Sequence, residues 1–356
     1  MSPTMAFLWL LAATIGWFLL PLIPAIRELL WPTDITPLQV SDRDAADVSL
    51  FARRFREYVT RELQALPPEA TEAALSDGTP MFRGKKLPDS LRNQSLTTEG
   101  LRHLVIFNGP TALPGNELFL NEIFTTYSFV GGPKAVYRAI LGDSGITLGP
   151  GSTVLRWVHS RTELLVGDGS TLAGRASADS AIRMGAGVSF DRLAASRIVV
   201  GGGAELAEVA ATSPVEFALP DEGVRAVGDH YRVEGDLTIP AGALLRGDLV
   251  VTGDVKLDKG AQLVGSLKAH GDVFIADGAA IDGAVVSRRR IVTTLRGVVG
   301  GPVIAEDEVS LGPGTVVGQQ HQPTSIAAPR VSLSRGVVVH GLVTSTSKGG
   351  TEQYID

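Results

Sequence analysis

One stretch of the sequence, from Gly235 to Gly318, repeats a short pattern at a fixed interval. The segments GDLTIPAGALLRG, GDVKLDKGAQLVG and GDVFIADGAAIDG begin at Gly235, Gly253 and Gly271, 18 residues apart. Within this period, apolar residues recur every six positions, each with an apolar partner two positions earlier. The six-residue series is Ile239, Leu245, Val251, Leu257, Leu263, Ala269, Ile275 and Ile281, and the partners are Leu237, Ala243, Leu249, Val255, Ala261, Leu267, Val273 and Ala279. A spacing of two puts both side chains on one face of a strand, and the repeat of six leaves room for a turn.

This pattern predicts an all-β fold, built as a β-helix, or β-solenoid. Three units of six residues, each a short strand and a turn, make one coil of 18 residues. Because a solenoid grows along one axis without enlarging a single core, the length of 356 residues does not count domains here.

The same period occurs earlier in the chain. LGPGSTV at Leu148, VGDGSTL at Val166 and MGAGVSF at Met184 are again 18 residues apart. Phe190 and Ile239 are separated by 49 residues, one more than a multiple of six. We therefore expect a loop insertion between 191 and 234 within one continuous solenoid, which we favour over two separate domains.

The pattern weakens after Ile281. Ser287 and Thr293 occupy positions where apolar residues are expected, and a run of three arginines lies between them. These arginines, Arg288, Arg289 and Arg290, are candidates for binding an acidic partner or a lipid headgroup, and a solvated corner is the alternative interpretation.

The last repeat spans 331–341, and no amphipathic segment follows that could cover it. An uncovered coil exposes unpaired strand edges and an apolar cross-section. We therefore expect Leu333, Val337 and Val339 to form a self-association surface, with a disordered tail over 344–356.

The N-terminal segment from Met5 to Ile26 contains no charged residue. It is long enough to cross the roughly 30 Å hydrocarbon layer of a bilayer as a helix. Basic residues follow this segment and none precedes it, so the positive-inside rule favours a cytoplasmic body. A cleaved signal peptide is the alternative, and it is weakened by the missing basic n-region.

The chain after this segment contains one helical pattern. Apolar residues recur at three- and four-residue steps from Ser41 to about Leu66, with charged residues between them. Such a helix either rests on anionic lipid or a neighbouring protein, or packs on the protein's own body with its charged face in solvent. From Pro67 to Gly100 the chain is polar and rich in proline, which predicts a mobile connector.

Composition excludes several classes of function. The net charge of −6 gives no electrostatic case for nucleic acid as a partner. The absence of cysteine excludes disulfides, a thiol nucleophile and thiolate metal sites. The Gly-x-Gly triplets are turn residues, since no helix follows them, and no cofactor motif is found. Asp236, Asp254 and Asp272 are expected to cap turns rather than to bind calcium.

Two histidines support one enzymatic hypothesis. Many acyltransferases are built on hexapeptide coils and use a histidine as general base. His270 precedes Gly271 in the best-conforming repeat, and His159 lies between Val158 and Ser160. The alternative function is therefore a membrane-tethered acyltransferase acting on an envelope or polysaccharide precursor.

The region from Gly235 to Gly318, with GDLVVTGDVKLDKGAQLVGSLKAHGDVFIADGAAIDGAVV at its centre, resembles the bactofilin family of bacterial polymer-forming cytoskeletal proteins. The resemblance implies a right-handed β-helix, without cofactor or nucleotide, that polymerises end to end. It also implies a scaffold at the inner membrane for cell-shape or envelope-building enzymes. The membrane span, the stalk and the additional solenoid half depart from a minimal member of the family.

These features together predict a membrane-anchored, self-associating scaffold in the bacterial inner membrane. Its partners would be further copies of the chain, the membrane through residues 5–26, and envelope-synthesis proteins, with no nucleic acid. A body outside the membrane, acting as a periplasmic adaptor, is a further alternative. The predicted domains are an anchor (1–31), a linker with an amphipathic helix and flexible connector (32–99), a first solenoid region with a loop insertion (100–234), a bactofilin-like solenoid (235–343) and a disordered tail (344–356).

Overall fold

A computed structural model describes residues 2–19, 48–201 and 214–352, except Asp221 and Asp229. The chain divides into two units, Met1–Asp47 and Val48–Asp356. In the first unit, helix α1 spans Pro3–Leu19. The membrane span predicted over residues 5–26 lies partly outside the described residues, and no helix among the described residues is both long and apolar enough to cross a bilayer.

The second unit is a right-handed type of β-solenoid with about 13 turns. It also contains two helices, α2 (Leu50–Ala65) and α3 (Asp89–Ser95). The strands of its first half are β1 (Glu72–Ala74), β2 (Pro80–Gly84), β3 (Leu104–Phe107), β4 (Thr111–Ala112), β5 (Leu118–Thr125), β6 (Phe129–Gly131), β7 (Val136–Gly142), β8 (Ile146–Leu148), β9 (Thr153–Ser160), β10 (Glu163–Val166), β11 (Thr171–Met184) and β12 (Ser189–Val200).

The second half begins beyond the undescribed residues 202–213. Its strands are β13 (Val215–Glu216), β14 (Val224–Val227), β15 (His230–Val233), β16 (Leu237–Ile239), β17 (Ala243–Arg246), β18 (Asp248–Val251), β19 (Val255–Leu257), β20 (Gln262–Val264), β21 (Leu267–Ala269), β22 (Val273–Ile275), β23 (Ala280–Ile281), β24 (Val285–Ser287), β25 (Arg290–Thr293), β26 (Val298–Val299), β27 (Val303–Ala305), β28 (Glu308–Leu311), β29 (Val316–Val317), β30 (Thr324–Leu333) and β31 (Val338–Thr351).

The coils of the second half confirm the 18-residue period. Each strand pairs in parallel with the strand one coil later, so that Val255 aligns with Val273 and Leu257 with Ile275. Every apolar residue of the two series predicted from the sequence is buried in one continuous core. The sequence pattern therefore identified the inward-facing side chains of these coils correctly.

The polar residues at core positions do not interrupt the solenoid. Ser287 and Thr293 are both buried. The Ser287 hydroxyl donates to the carbonyl of Gly271 at 2.7 Å, and the Thr293 hydroxyl lies 2.7 Å from that of Thr315. Because buried hydroxyls with partners carry little penalty, these coils remain regular, and the pattern's weakest stretch is not a break in the structure.

The two halves meet through their last strands, which run antiparallel. In this seam β12 pairs with β31, and Ile198 aligns with Val339 and Phe190 with Gly349. The second half therefore starts at the far end of the molecule and returns toward the first. The expectation of one continuous solenoid with a loop insertion is wrong, because the direction of stacking reverses between the halves.

The seam also corrects two expectations for the C-terminal region. Leu333, Val337 and Val339 are fully buried, because the first half of the same chain covers the coil to which they belong. The predicted disordered tail is strand β31 as far as Thr351. Gly349 is required at its position because a Cβ atom there would lie 2.4 Å from the carbonyl oxygen of Phe190.

The segment from Pro67 to Gly100, predicted as a mobile connector, is ordered. It forms the β1–β2 hairpin, and β2 pairs in parallel with β3 of the next coil. Helix α3 contributes the buried Leu91 to the solenoid core. This segment lacks the 18-residue repeat, and its order comes from apolar residues such as Met81 and Phe82, which are buried.

Helix α2 packs against the flank of the first half. Its buried Ala52 and Val59 contact a cluster on the outer side of the strands, and the rings of Phe55 and Trp157 are 5.4 Å apart in an edge-to-face arrangement. Its opposite face is charged and exposed, as at Arg54. Of the two interpretations of this helix, the one in which it packs on the protein's own body is confirmed.

Candidate functional site

The aspartates at the coil corners form a ladder along the second half. The Asp236 carboxylate accepts a hydrogen bond from the backbone N–H of Asp254 at 2.8 Å, and Asp254 accepts one from Asp272 at 2.7 Å. Each link joins one coil to the next, 18 residues later. These carboxylates therefore satisfy backbone donors, and no cluster of possible metal ligands is found among the described residues.

The arginine run lies at the end of this ladder. Arg290 pairs with Asp272 at 2.6 Å, and Arg289 lies 3.8 Å from the same carboxylate. The hydrogen bonds from Arg290 lower the pKa of Asp272 below its usual value, although burial acts in the opposite direction. Arg289 and Arg290 are therefore engaged within the fold, and Arg288 is the member of the run that faces His270.

The two candidate histidines lie in different halves of the solenoid. His159 on β9 is nearly buried, with Nδ1 2.8 Å from the Ser177 hydroxyl and Nε2 3.7 Å from the Asp179 carboxylate. Serine, histidine and aspartate are the residue types of a hydrolytic triad. However, Ser177 is only 5 % exposed, which leaves its hydroxyl little contact with solvent.

His270 has a different environment. Burial, together with the charges of Arg288, Lys268 and Arg232, lowers its pKa below the usual value. Its ring forms no hydrogen bond within the described part of the chain, so no carboxylate orients it as a general base. The structure thus gives His159, and not His270, the neighbours that acid–base chemistry requires.

The far end of the second half presents strand edges. Within the described residues, β16 pairs only with β19, and β13 pairs only with β17. Apolar side chains at this end are exposed, including Val215 at 72 % and Val227 at 45 %. We call the surface formed by β13, β14 and β16 the open end.

A groove of about 410 Å³ lies beside the open end. Phe217, Leu219 and Val224 line it and pack against the edge of the core. Its rim carries the ion pair of Glu216 and Arg246, with 3.0 Å between the charged atoms. Sequence reasoning placed self-association at the wrong end because it could not show which terminal coil the chain itself covers.

Comparison of the chain with protein-family models, with curated proteins and with solved structures gives no match. The geometry of the solenoid is therefore the basis for the function proposed below.

Proposed function

We propose that this protein is a self-associating structural scaffold whose copies join through the open end. The observation that carries the proposal is the unpaired outer edge of β16, at the end of a solenoid whose other coils pair on both sides along the described strands. Unpaired edges of this kind pair readily with another chain.

The seam within the chain provides a physical precedent for such a contact. There, two coils of the same solenoid pair as antiparallel strands and bury apolar residues such as Ile198 and Val339. Two copies related by a two-fold axis can bring their open ends together in the same antiparallel manner. An isologous contact of this type closes on itself and gives a dimer, or a longer assembly if a second surface also associates.

The resemblance of Gly235–Gly318 to bactofilins supports the same class of function. It favours a cytoskeletal role at the bacterial inner membrane, with the apolar segment over residues 5–26 as the anchor and the body in the cytoplasm. Envelope-synthesis proteins would then be the cargo of the scaffold. Flotation of the full chain with lipid vesicles tests the anchor, and a reporter fused to the C-terminus tests the orientation.

Sedimentation velocity of the compact unit from Val48 onward tests self-association. We expect a dimer or larger species whose proportion rises with protein concentration. A monomer throughout the micromolar range would contradict the proposal. Electron microscopy of the same sample distinguishes closed dimers from filaments.

A second candidate function, acyl transfer, rests on the contacts of His159 with Ser177 and Asp179. The substitution His159→Ala separates the two functions in cells. If chemistry is required, the variant assembles normally but loses function. If the protein is only a scaffold, a variant that folds and assembles keeps its function, as does His270→Ala.

A further inference from the structure

A pocket lies at the first end of the solenoid, far along the chain from the open end. It has a volume of about 390 Å³ and is lined by Lys85, Lys86, Arg92, the segment 110–114 and Glu117. This volume falls within the range of pockets that hold small molecules. The pocket is formed by the turn after β2, by α3 and by the segment containing β4, none of which belongs to the regular repeat.

The carboxyl group of Glu117 is the unusual feature of this pocket. The residue is only 1 % exposed, and its Oε2 atom has no hydrogen-bond partner. Its Oε1 atom lies 3.4 Å from the Ser95 hydroxyl, which is a long contact. Buried polar atoms without partners are rare, and each calls for an explanation such as a bound ligand.

Three cations surround this carboxyl. Lys85, Lys86 and Arg92 are exposed, and none of them forms an ion pair with the residues that the structure describes. Elsewhere in the second unit, arginines such as Arg138 and Arg290 are paired with carboxylates. Three unpaired cations around one cavity favour a ligand that carries negative charge.

We propose that this pocket binds a small hydroxylated anion, of the class of sugar phosphates and sugar carboxylates. Lys85, Lys86 and Arg92 hold the anionic group, and Glu117 forms a hydrogen bond with a hydroxyl. Ammonium and guanidinium groups form strong, charge-assisted hydrogen bonds with phosphate and carboxylate oxygens.

A hydroxyl is the group that suits Glu117 in either protonation state. Burial raises the pKa of this carboxyl to about 7, while the charge of Arg92 acts in the opposite direction. Near neutral pH the carboxyl is thus both protonated and ionised in the population. A hydroxyl accepts a hydrogen bond from the protonated form and donates one to the ionised form.

Calorimetric titration of the full chain with glucose 6-phosphate, glucuronate, glucose and inorganic phosphate tests the proposal. We expect glucose 6-phosphate or glucuronate to bind, and glucose to bind at least about tenfold more weakly because it lacks the charge. Lys86→Ala and Arg92→Ala each alter an exposed residue, and each should weaken binding of the charged sugar by about tenfold. Lys268→Ala and Arg288→Ala alter cations of the second half and should change nothing.

The role of Glu117 has its own readout. Glu117→Ala should weaken glucose 6-phosphate binding by about tenfold while leaving the affinity for inorganic phosphate unchanged. Thermal melts establish that each variant folds, and Glu117→Gln replaces Glu117→Ala if the latter does not. With Glu117→Gln we expect binding of glucose 6-phosphate to become independent of pH between about 6 and 8.

Three results would overturn the proposal. One is the absence of binding by either charged sugar. Another is binding that Lys268→Ala and Arg288→Ala weaken as much as the pocket variants do. The third is equal binding of inorganic phosphate and both sugars with no effect of Glu117, which would indicate an adventitious ion only.

Discussion

Arg290 donates three hydrogen bonds to Asp272, the residue one coil earlier. The distances are 2.6 Å from Nη2 to Oδ2, 3.3 Å from Nε to Oδ1 and 3.1 Å from the backbone N to Oδ1. Asp272 is only 4 % exposed, so its charge depends on these partners. An arginine that the sequence presents as a free surface charge therefore connects two coils.

Arg290→Ala should lower the stability of the solenoid, because it leaves the buried Asp272 carboxylate with fewer hydrogen bonds. Arg288→Ala is the matched control, since this neighbouring arginine makes no ion pair with a described residue. We expect a lower melting temperature for Arg290→Ala and no change for Arg288→Ala, measured by circular dichroism. Equal effects of both variants would contradict the assigned role of Arg290.

Glu117→Gln should alter the dependence of stability on pH. The pKa of Glu117 is raised from 4.5 to about 7 in the folded protein, so the folded state binds the proton more tightly than the unfolded state. The free energy of unfolding of the natural protein is therefore expected to fall as the pH rises from about 4.5 to 7, by on the order of 3 kcal/mol. The variant lacks this decrease and should be the more stable protein above about pH 7.

Urea unfolding of both proteins at several pH values, without added ligand, measures this difference. The difference in unfolding free energy between the variant and the natural protein should grow with pH and then level off. A constant difference across the range would show that Glu117 does not titrate with a raised pKa.

Gly349→Ala should destabilise the seam. The added Cβ would lie 2.4 Å from the carbonyl oxygen of Phe190 and 2.5 Å from its ring, so β31 must move away from β12. We expect a loss of about 1–3 kcal/mol in the free energy of unfolding. Gly350→Ala is the control, because its Cβ would be 3.5 Å from the nearest atom, an ordinary contact. Equal urea midpoints for the two variants would contradict the seam geometry.

Val215→Glu should weaken self-association without unfolding the protein. Val215 is 72 % exposed at the open end, and a carboxylate there repels the matching residue of a second copy. Val298→Glu is the control, since Val298 is 45 % exposed on the flank of β26. Sedimentation velocity should show a smaller species for Val215→Glu only. If Val298→Glu has the same effect, the flank and not the open end carries the contact.

The fold of individual coils could be predicted from the sequence, and their arrangement could not. The period determines which side chains point inward, so residues such as Val255 and Ile275 were identified without a structure. The period does not record the direction in which the next stack of coils runs. Nothing in the residues from Phe190 to Ile239 therefore shows that the second half returns toward the first.

The segments missed by sequence reasoning are those that lack the repeat. Polar strand β31 pairs through its backbone, so Ser345 and Thr351 give no apolar signal. Glu117 is a single charged residue in a non-repetitive segment, and only the surrounding elements make it buried. Sequence alone therefore found neither the seam nor the pocket.

The antiparallel seam has a consequence for biosynthesis. Phe190 of β12 meets Gly349 of β31, and these residues are far apart in the order of translation. At about 5–20 residues per second, the ribosome needs on the order of 10 s or more to make the intervening chain. Throughout this time the completed first half carries an uncovered terminal strand, so nascent chains on one polysome are vulnerable to pairing with each other there before their own C-terminal strand arrives.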